Sequence, residues 1–72
     1  QGNGAAQFSL GHCYKYGIGT DKNVKESFSW YLKSAEGGYK LAYLPVGDCY
    51  LHGKGVKQNT DKAWVWYQKA TT

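Results

Sequence analysis

The sequence predicts an all-α fold, a right-handed α/α superhelix (solenoid) of two helix–turn–helix repeats, and three observations support this prediction. Shifted by 36 positions, the chain matches itself without a gap at 11 of 36 positions. Apolar residues in each copy recur at helical spacing. Glycine-containing breaks separate the helical stretches. We therefore divide the chain into repeat 1, residues 1–36, and repeat 2, residues 37–72.

The identities between the two copies are mostly glycines and aromatic residues, whose roles are geometric. They pair Gly11 with Gly47, Gly17-x-Gly19 with Gly53-x-Gly55, Cys13-Tyr14 with Cys49-Tyr50, and Trp30-Tyr31-x-Lys33 with Trp66-Tyr67-x-Lys69. Composition alone does not place these residue types at one register, so the chain consists of two copies of one unit.

The A helix of each repeat is predicted at residues 4–16 and 40–52. Its buried stripe consists of equivalent residues in the two copies: Ala6, Leu10, Cys13, Tyr14 and Gly17, and Ala42, Val46, Cys49, Tyr50 and Gly53. Pro45 lies just past the first turn of the second A helix. Because proline removes a backbone N–H and clashes with the preceding turn, it predicts a kink or a late start there.

A glycine-containing break follows each A helix and leads to an N-cap. Gly17 and its counterpart in repeat 2 suit a left-handed C-terminal cap, since glycine has no Cβ to oppose a positive φ. Asn23 is the predicted N-cap of the first B helix, and Glu26 completes a capping box. In repeat 2, Asn59 keeps the cap but Lys62 leaves the box incomplete.

The B helices are predicted at residues 24–36 and 60–70. Their buried stripes are Ser27, Trp30, Tyr31 and Ser34 in repeat 1, and Ala63, Trp66, Tyr67 and Ala70 in repeat 2. Phe28 and Trp64, which lie beside these stripes, are expected to form the core between repeats.

Gly11 and Gly47 lie inside the A helices, where glycine costs about 1 kcal/mol relative to alanine. Because the same cost occurs twice at one register, we expect close packing at both positions, with Trp30 and Trp66 over the missing side chains.

These motifs carry a family resemblance. The strings Leu10-Gly11-His12-Cys13-Tyr14, Gly17-Ile18-Gly19 and Trp30-Tyr31-Leu32-Lys33-Ser34-Ala35-Glu36-Gly37-Gly38 resemble the Sel-1-like repeat, a relative of the tetratricopeptide repeat. Asn23 and Asn59 stand where that family has Asp, and Cys13 and Cys49 where it has an aliphatic residue.

The resemblance implies a non-catalytic, protein-binding scaffold or adaptor. Repeat arrays usually need at least about three units for stability. We therefore expect the chain to belong to a longer array, or to associate with itself end to end.

Composition and charge exclude several classes of protein. A hydrophobic share of 42% argues against disorder, and 72 residues are too few for an enzyme with a large pocket. We expect no membrane span, because no apolar run approaches about 18–20 residues. The net charge of +4 comes from nine lysines and no arginine. The spread of these lysines favours a solvated face, and binding of single-stranded RNA is the alternative function.

Chemical sites are predicted to be absent: no catalytic residues, no metal and no cofactor. Cys13 and Cys49 occupy equivalent positions one repeat apart, so we expect buried free thiols rather than a disulfide. Together with His12 and His52 they lack the spacing of a structural zinc site. The Gly-x-Gly loops lack phosphate-binding motifs. Reduced thiols make a cytoplasmic location the expectation, with the endoplasmic reticulum and secretion left open.

The exposed side of the A helices is the predicted partner-binding surface, because the two copies differ most there. We call it the A-helix wall, and its residues form three equivalent pairs: Phe8 and Leu44, His12 and Asp48, and Tyr16 and His52. Mixed aromatic, polar and aliphatic character suits docking of an extended peptide or a helix.

Overall fold

The computed structural model describes residues 2–72, and these residues form four α-helices, one short 3-10 helix and no strand. The helices are α1 (Gly2–Tyr16), α2 (Val24–Glu36), α3 (Tyr43–His52) and α4 (Thr60–Thr71), with the 3-10 helix at Lys40–Ala42. α1 packs on α2, α3 packs on α4, and α2 also contacts α3. The predicted α/α solenoid of two 36-residue units is therefore confirmed.

The second A helix starts late, as Pro45 predicts. Lys40–Ala42 form the 3-10 turn, and the α-helix begins at Tyr43, which makes Pro45 its third residue. In the first turn of a helix a backbone N–H has no intrahelical partner, so a residue without one costs little there. α3 consequently has 10 residues where α1 has 15.

Both A helices end on the predicted left-handed glycine. Gly17 has φ of +68° and Gly53 has φ of +67°. The backbone N–H of the residue after each glycine bonds to a carbonyl of the preceding helix. Ile18 donates to the Cys13 carbonyl at 2.9 Å, and Lys54 donates to the Cys49 carbonyl at 3.0 Å. These bonds satisfy carbonyls that the helix end leaves unpaired.

Asn23 and Asn59 each connect two helices. The Asn23 side chain accepts from the Glu26 N–H at 3.1 Å, which confirms the N-cap, and its own N–H donates to the Tyr14 carbonyl of α1 at 2.9 Å. Asn59 repeats both bonds, with Lys62 and Tyr50 as partners at 3.1 and 2.8 Å. The predicted capping box at Glu26 is wrong. The Glu26 carboxylate would accept a hydrogen bond from the Asn23 backbone N–H, but that N–H already donates to the Tyr14 carbonyl of α1.

Tyrosine, not tryptophan, covers the helix glycines. A Cβ placed on Gly11 would lie 2.7 Å from Cδ1 of Tyr31, and one on Gly47 would lie 2.8 Å from Cε1 of Tyr67. The assignment to Trp30 and Trp66 is therefore wrong. Adjacent residues on a helix point about 100° apart, and the tryptophans lie half-buried at its edge.

Trp30 and Trp66 are each covered on one face by a lysine of the same helix. The Lys33 ammonium lies 4.4 Å from the Trp30 ring centroid, and the Lys69 ammonium lies 4.6 Å from that of Trp66. Residues three apart on a helix are surface neighbours. The repeated Trp-Tyr-x-Lys motif thus combines a ring over glycine with a cation–π pair.

The core lies between the repeats, and its members come from both. α2 contributes Phe28, Tyr31 and Ala35, and the second A segment contributes Ala42, Val46 and Tyr50. The Phe28 and Tyr50 rings meet edge to face with centroids 5.3 Å apart. The expected inter-repeat role of Phe28 is thus confirmed.

The sequence predicts that Ala6, Leu10 and Trp64 are buried, and this prediction is wrong. Ala6 and Leu10 of α1 are exposed, whereas their counterparts Ala42 and Val46 are fully buried. Trp64, the counterpart of Phe28, is 63% exposed. Within residues 2–72 no further helix packs on the outer side of α1 or of α4, so these faces lack the cover that α2 and α3 give one another.

Two buried serines fasten α2 to α1. Ser27 donates its hydroxyl to the Gly11 carbonyl and Ser34 donates to the Gly4 carbonyl, each at 2.7 Å. Their counterparts in α4 are Ala63 and Ala70, which carry no hydroxyl. The first helix pair therefore has polar anchors that the second lacks.

Candidate protein-binding site

The first residue of the A-helix wall, Phe8, is part of the packing. Its ring lies 5.4 Å from that of Tyr31 and 5.6 Å from that of Tyr39, centroid to centroid, and the side chain is half-buried. Phe8 therefore packs against two rings of the same repeat pair and is only partly accessible to a partner.

His12 and Tyr16 form the exposed part of the wall in repeat 1. Their ring centroids are 4.7 Å apart, and Tyr16 is 56% exposed. The Tyr31 hydroxyl lies 3.4 Å from Nδ1 of His12. The imidazole is thus held between a buried and an exposed tyrosine.

The wall of repeat 2 has the same construction with different chemistry. Asp48 replaces His12, and its carboxylate accepts a hydrogen bond from the Tyr67 hydroxyl. Leu44, the counterpart of Phe8, is 53% exposed. In repeat 1, Tyr31 covers Gly11 and contacts His12. In repeat 2, Tyr67 covers Gly47 and contacts Asp48.

A groove lies where the two repeats meet, and it brings together three of the six predicted residues. Its volume is about 660 Å³, and Tyr16, Asp48 and His52 line it. Phe8, His12 and Leu44 lie outside it. We call this concavity the inter-repeat groove; its lining also includes Lys15, Lys22, Val24, Tyr31, Pro45, Cys49 and Lys54.

The lysines of the groove are the feature that sequence reasoning missed. Lys15 belongs to α1, Lys22 to the loop before α2, and Lys54 to the loop after α3. They occupy unrelated positions in the two repeats, so the 36-residue shift does not align them. Lys54 joins the two lysines of repeat 1 in this lining because repeat 2 stacks on repeat 1.

The thiols of Cys13 and Cys49 are free, as predicted, but they are half-buried rather than buried. Burial raises the pKa of the Cys49 thiol, and the Lys15 and Lys54 ammoniums partly oppose this shift. A raised thiol pKa keeps Cys49 neutral at physiological pH, so the thiol adds no negative charge to the lysines and Asp48 that line the groove. Among residues 2–72, no three His, Cys, Asp or Glu side chains converge in a way that could hold a metal ion.

Two tyrosine hydroxyls stay protonated far into the alkaline range. Burial raises the pKa of Tyr31 to about 12. The hydrogen bond to Asp48 is the main cause that raises the pKa of Tyr67 to about 12. A pKa that is higher in the folded state means that ionising the hydroxyl destabilises the fold.

Asp48→Asn is expected to lower the pKa of Tyr67 toward its ordinary value of about 10. In the wild type, the stabilisation that the neutral Tyr67 gives is complete below pH about 10 and is lost as the pH rises through about 12. Near-ultraviolet titration of tyrosinate checks this, with Tyr67→Phe identifying the Tyr67 transition. Asp61→Asn, on the exposed start of α4, is the control and should leave the titration unchanged. An unaltered Tyr67 transition in Asp48→Asn would contradict the assignment.

The fold and its groove define a class: a helical-repeat protein of the α/α solenoid type, with a rigid frame and a variable wall. A profile described as "Sel1 repeat" matches residues 4–39 and 39–72. The chain belongs to the Sel1 repeat family. No match was found among curated protein sequences. Within residues 2–72, no helix has the length and apolar character required to cross a membrane.

Two solved structures resemble the chain closely. A Sel1 repeat protein from Oxalobacter formigenes has a TM-score of 0.89 at 41% identity, over 94% of this chain and 28% of that one. The second is c5321, a protective antigen of uropathogenic Escherichia coli strains with an SLR fold. It has a TM-score of 0.87 at 37% identity, over 94% of this chain and 15% of that one. The chain therefore spans less than a third of either relative.

Proposed function

We propose that the chain is a non-catalytic protein-binding module that acts as a scaffold or adaptor within a longer repeat array. Proteins with Sel1 repeats are generally protein–protein interaction modules. The proposal rests on a contrast between the two repeats: their packing contacts are the same, but the residues of their A-helix walls differ. The two repeats keep the same Gly–Tyr packing and the same asparagine caps, while the wall changes from Phe, His and Tyr to Leu, Asp and His.

A fixed frame with a variable exposed wall is the arrangement that selective binding requires. The glycines let the tyrosine rings approach α1 and α3 closely, which sets the position of each helix. Side chains on the wall are then free to differ without cost to the core. Leu44 and Tyr16, both more than half exposed, supply apolar contact area of the kind that interface cores use.

Photo-crosslinking in cells that express the parent protein tests this function. A photoreactive residue at Tyr16 or Leu44 is expected to give discrete protein adducts. The same residue at Lys25 or Asp61, an equivalent pair on the exposed side of the B helices, is the control and should give none. Adducts must also disappear when Leu44→Asp is added to the Tyr16 probe.

Two outcomes would reject protein binding at the wall. One is equal crosslinking from the wall and from the B-helix controls. The other is an adduct that ribonuclease removes, which would establish the alternative of single-stranded RNA binding.

The uncovered ends of the repeat pair are proposed contacts for neighbouring repeats or for a second copy end to end. Ala6 and Leu10 form one end and Trp64 the other, and each corresponds to a face that is buried between repeats 1 and 2. In the crosslinking experiment, a probe at Trp64 is expected to react within the same chain or with another copy of it.

A further inference from the structure

We propose that the inter-repeat groove binds a short, extended, acidic segment of a partner protein. This inference rests on the proposed protein-binding function and specifies the chemistry of the ligand. With about 660 Å³, the groove falls within the range of about 300–1,000 Å³ found for binding sites.

The charge of the groove is the first argument. Lys15, Lys22 and Lys54 line it, and Asp48 is the acidic residue in its lining. The Asp48 carboxylate already accepts a hydrogen bond from the Tyr67 hydroxyl, so part of its hydrogen-bonding capacity is used within the protein. The lining thus carries an excess of positive charge, which attracts carboxylates and repels basic peptides.

The placement of the cations is the second argument. Lys15 and Lys54 come from different repeats, yet both ammoniums act electrostatically on the same thiol, that of Cys49. Both lysines line the groove together with Cys49, so repeat 1 and repeat 2 each contribute a cation to it. The Lys15 ammonium also lies 5.3 Å from the Tyr16 ring centroid, which ties it to the exposed aromatic of the wall.

The apolar parts of the lining favour an extended peptide. Val24 is 45% exposed, and Pro45 is half-buried in the same concavity. Side chains of an extended segment alternate between two sides, so acidic residues can reach the lysines while the intervening ones contact Val24 and Pro45. Packed helices stand about 8–10 Å apart, a span that about three extended residues cover.

The same lining argues against a nucleic acid as the occupant. Single strands are held by successive aromatic platforms along a basic track. In the groove, Tyr16 is exposed while Tyr31 is 2% exposed and already covers Gly11. Lysine also lacks the forked geometry with which arginine grips phosphates.

Fluorescence anisotropy with the intact chain tests the proposal. The probe is a short, capped, labelled peptide that alternates Glu and Leu, and the comparison is the same peptide with Gln for Glu. We expect the Glu peptide to bind at least about 10-fold more tightly at low salt, and the difference to shrink as ionic strength rises. Labelled oligouridine, measured in parallel, is expected to bind more weakly than the Glu peptide.

Paired lysine variants locate the binding. The groove variant Lys15→Gln with Lys54→Gln is expected to lose about 10-fold in affinity for the Glu peptide. The control Lys25→Gln with Lys40→Gln removes the same charge from exposed positions outside the groove, and is expected to change affinity by less than about 2-fold. Circular dichroism is used to check that both variants keep their helices. A charge-swapped pair, the groove lysines changed to Glu with a Lys–Leu peptide, should restore binding.

Three results would overturn the proposal: equal binding of the Glu and Gln peptides, equal losses in the groove and control variants, or tighter binding of oligouridine that the groove variant abolishes. The crosslinking experiment separates this failure from that of the proposed function. Protein adducts at Tyr16 and Leu44 that persist without any preference for acidic peptides would leave a protein-binding module whose ligand is not acidic.

Discussion

Gly55→Ala is expected to lower the free energy of unfolding by about 3 kcal/mol. Gly55 has φ of +75°, a region that a residue with a Cβ enters only at a cost. An added Cβ would also collide with the Val24 carbonyl oxygen of α2 and lie 3.0 Å from Cβ of Phe28. A backbone carbonyl at a helix start cannot rotate away, so the loop after α3 must shift. Urea denaturation measures the loss.

The control for this prediction is the equivalent glycine of repeat 1. Gly19 has φ of +73°, but nothing lies within 4 Å of the position where its Cβ would be. Gly19→Ala therefore carries the backbone cost alone, about 1 kcal/mol. Equal losses in the two variants would show that the contact between the second loop and α2 does not constrain Gly55.

Gly11→Leu is expected to cost about 3 kcal/mol or more, although leucine is the better helix former. The position of its Cβ lies 2.7 Å from a ring carbon of Tyr31, whose side chain is 2% exposed. The ring cannot yield without disturbing the core between the repeats. A domain of this length has a total stability of about 4–11 kcal/mol, so the loss is a large fraction of it.

Two further variants keep this prediction testable if Gly11→Leu fails to fold. Gly11→Ala should lose less stability than Gly11→Leu, because it adds only the Cβ that meets the Tyr31 ring. Ser9→Leu places the same side chain on the exposed side of α1 and is expected to change stability by less than about 0.5 kcal/mol. Unfolding midpoints of Gly11→Ala at or above that of the wild type would contradict the close approach of Tyr31.

Local signals in the sequence were sufficient for the helices and the family. The helical spacing of apolar residues, glycine at the helix ends and asparagine at the helix starts each act within a few residues. The late start of α3 followed from Pro45 for the same reason. These features do not depend on how the repeats stack.

The predictions that the structure contradicts concern properties that depend on packing between helices. Whether Trp30 or Tyr31 faces Gly11 depends on the rotation of α2 about its axis, which spacing does not fix. The exposure of Trp64 depends on which neighbour covers it. Lys15 and Lys54 lie 39 positions apart in the sequence, and only the stacking of repeat 2 on α2 brings them to one groove.

The double role of the asparagines has a consequence for how such chains grow. Asn23 and Asn59 have nearly the same backbone conformation, with φ of −153° and −154°, and each joins the end of one helix to the start of the next through its own main chain and side chain. The angle of each hairpin is thus set by atoms inside that hairpin. A gene segment encoding one unit can therefore be duplicated or deleted in frame without changing the angle between the two helices of any remaining unit.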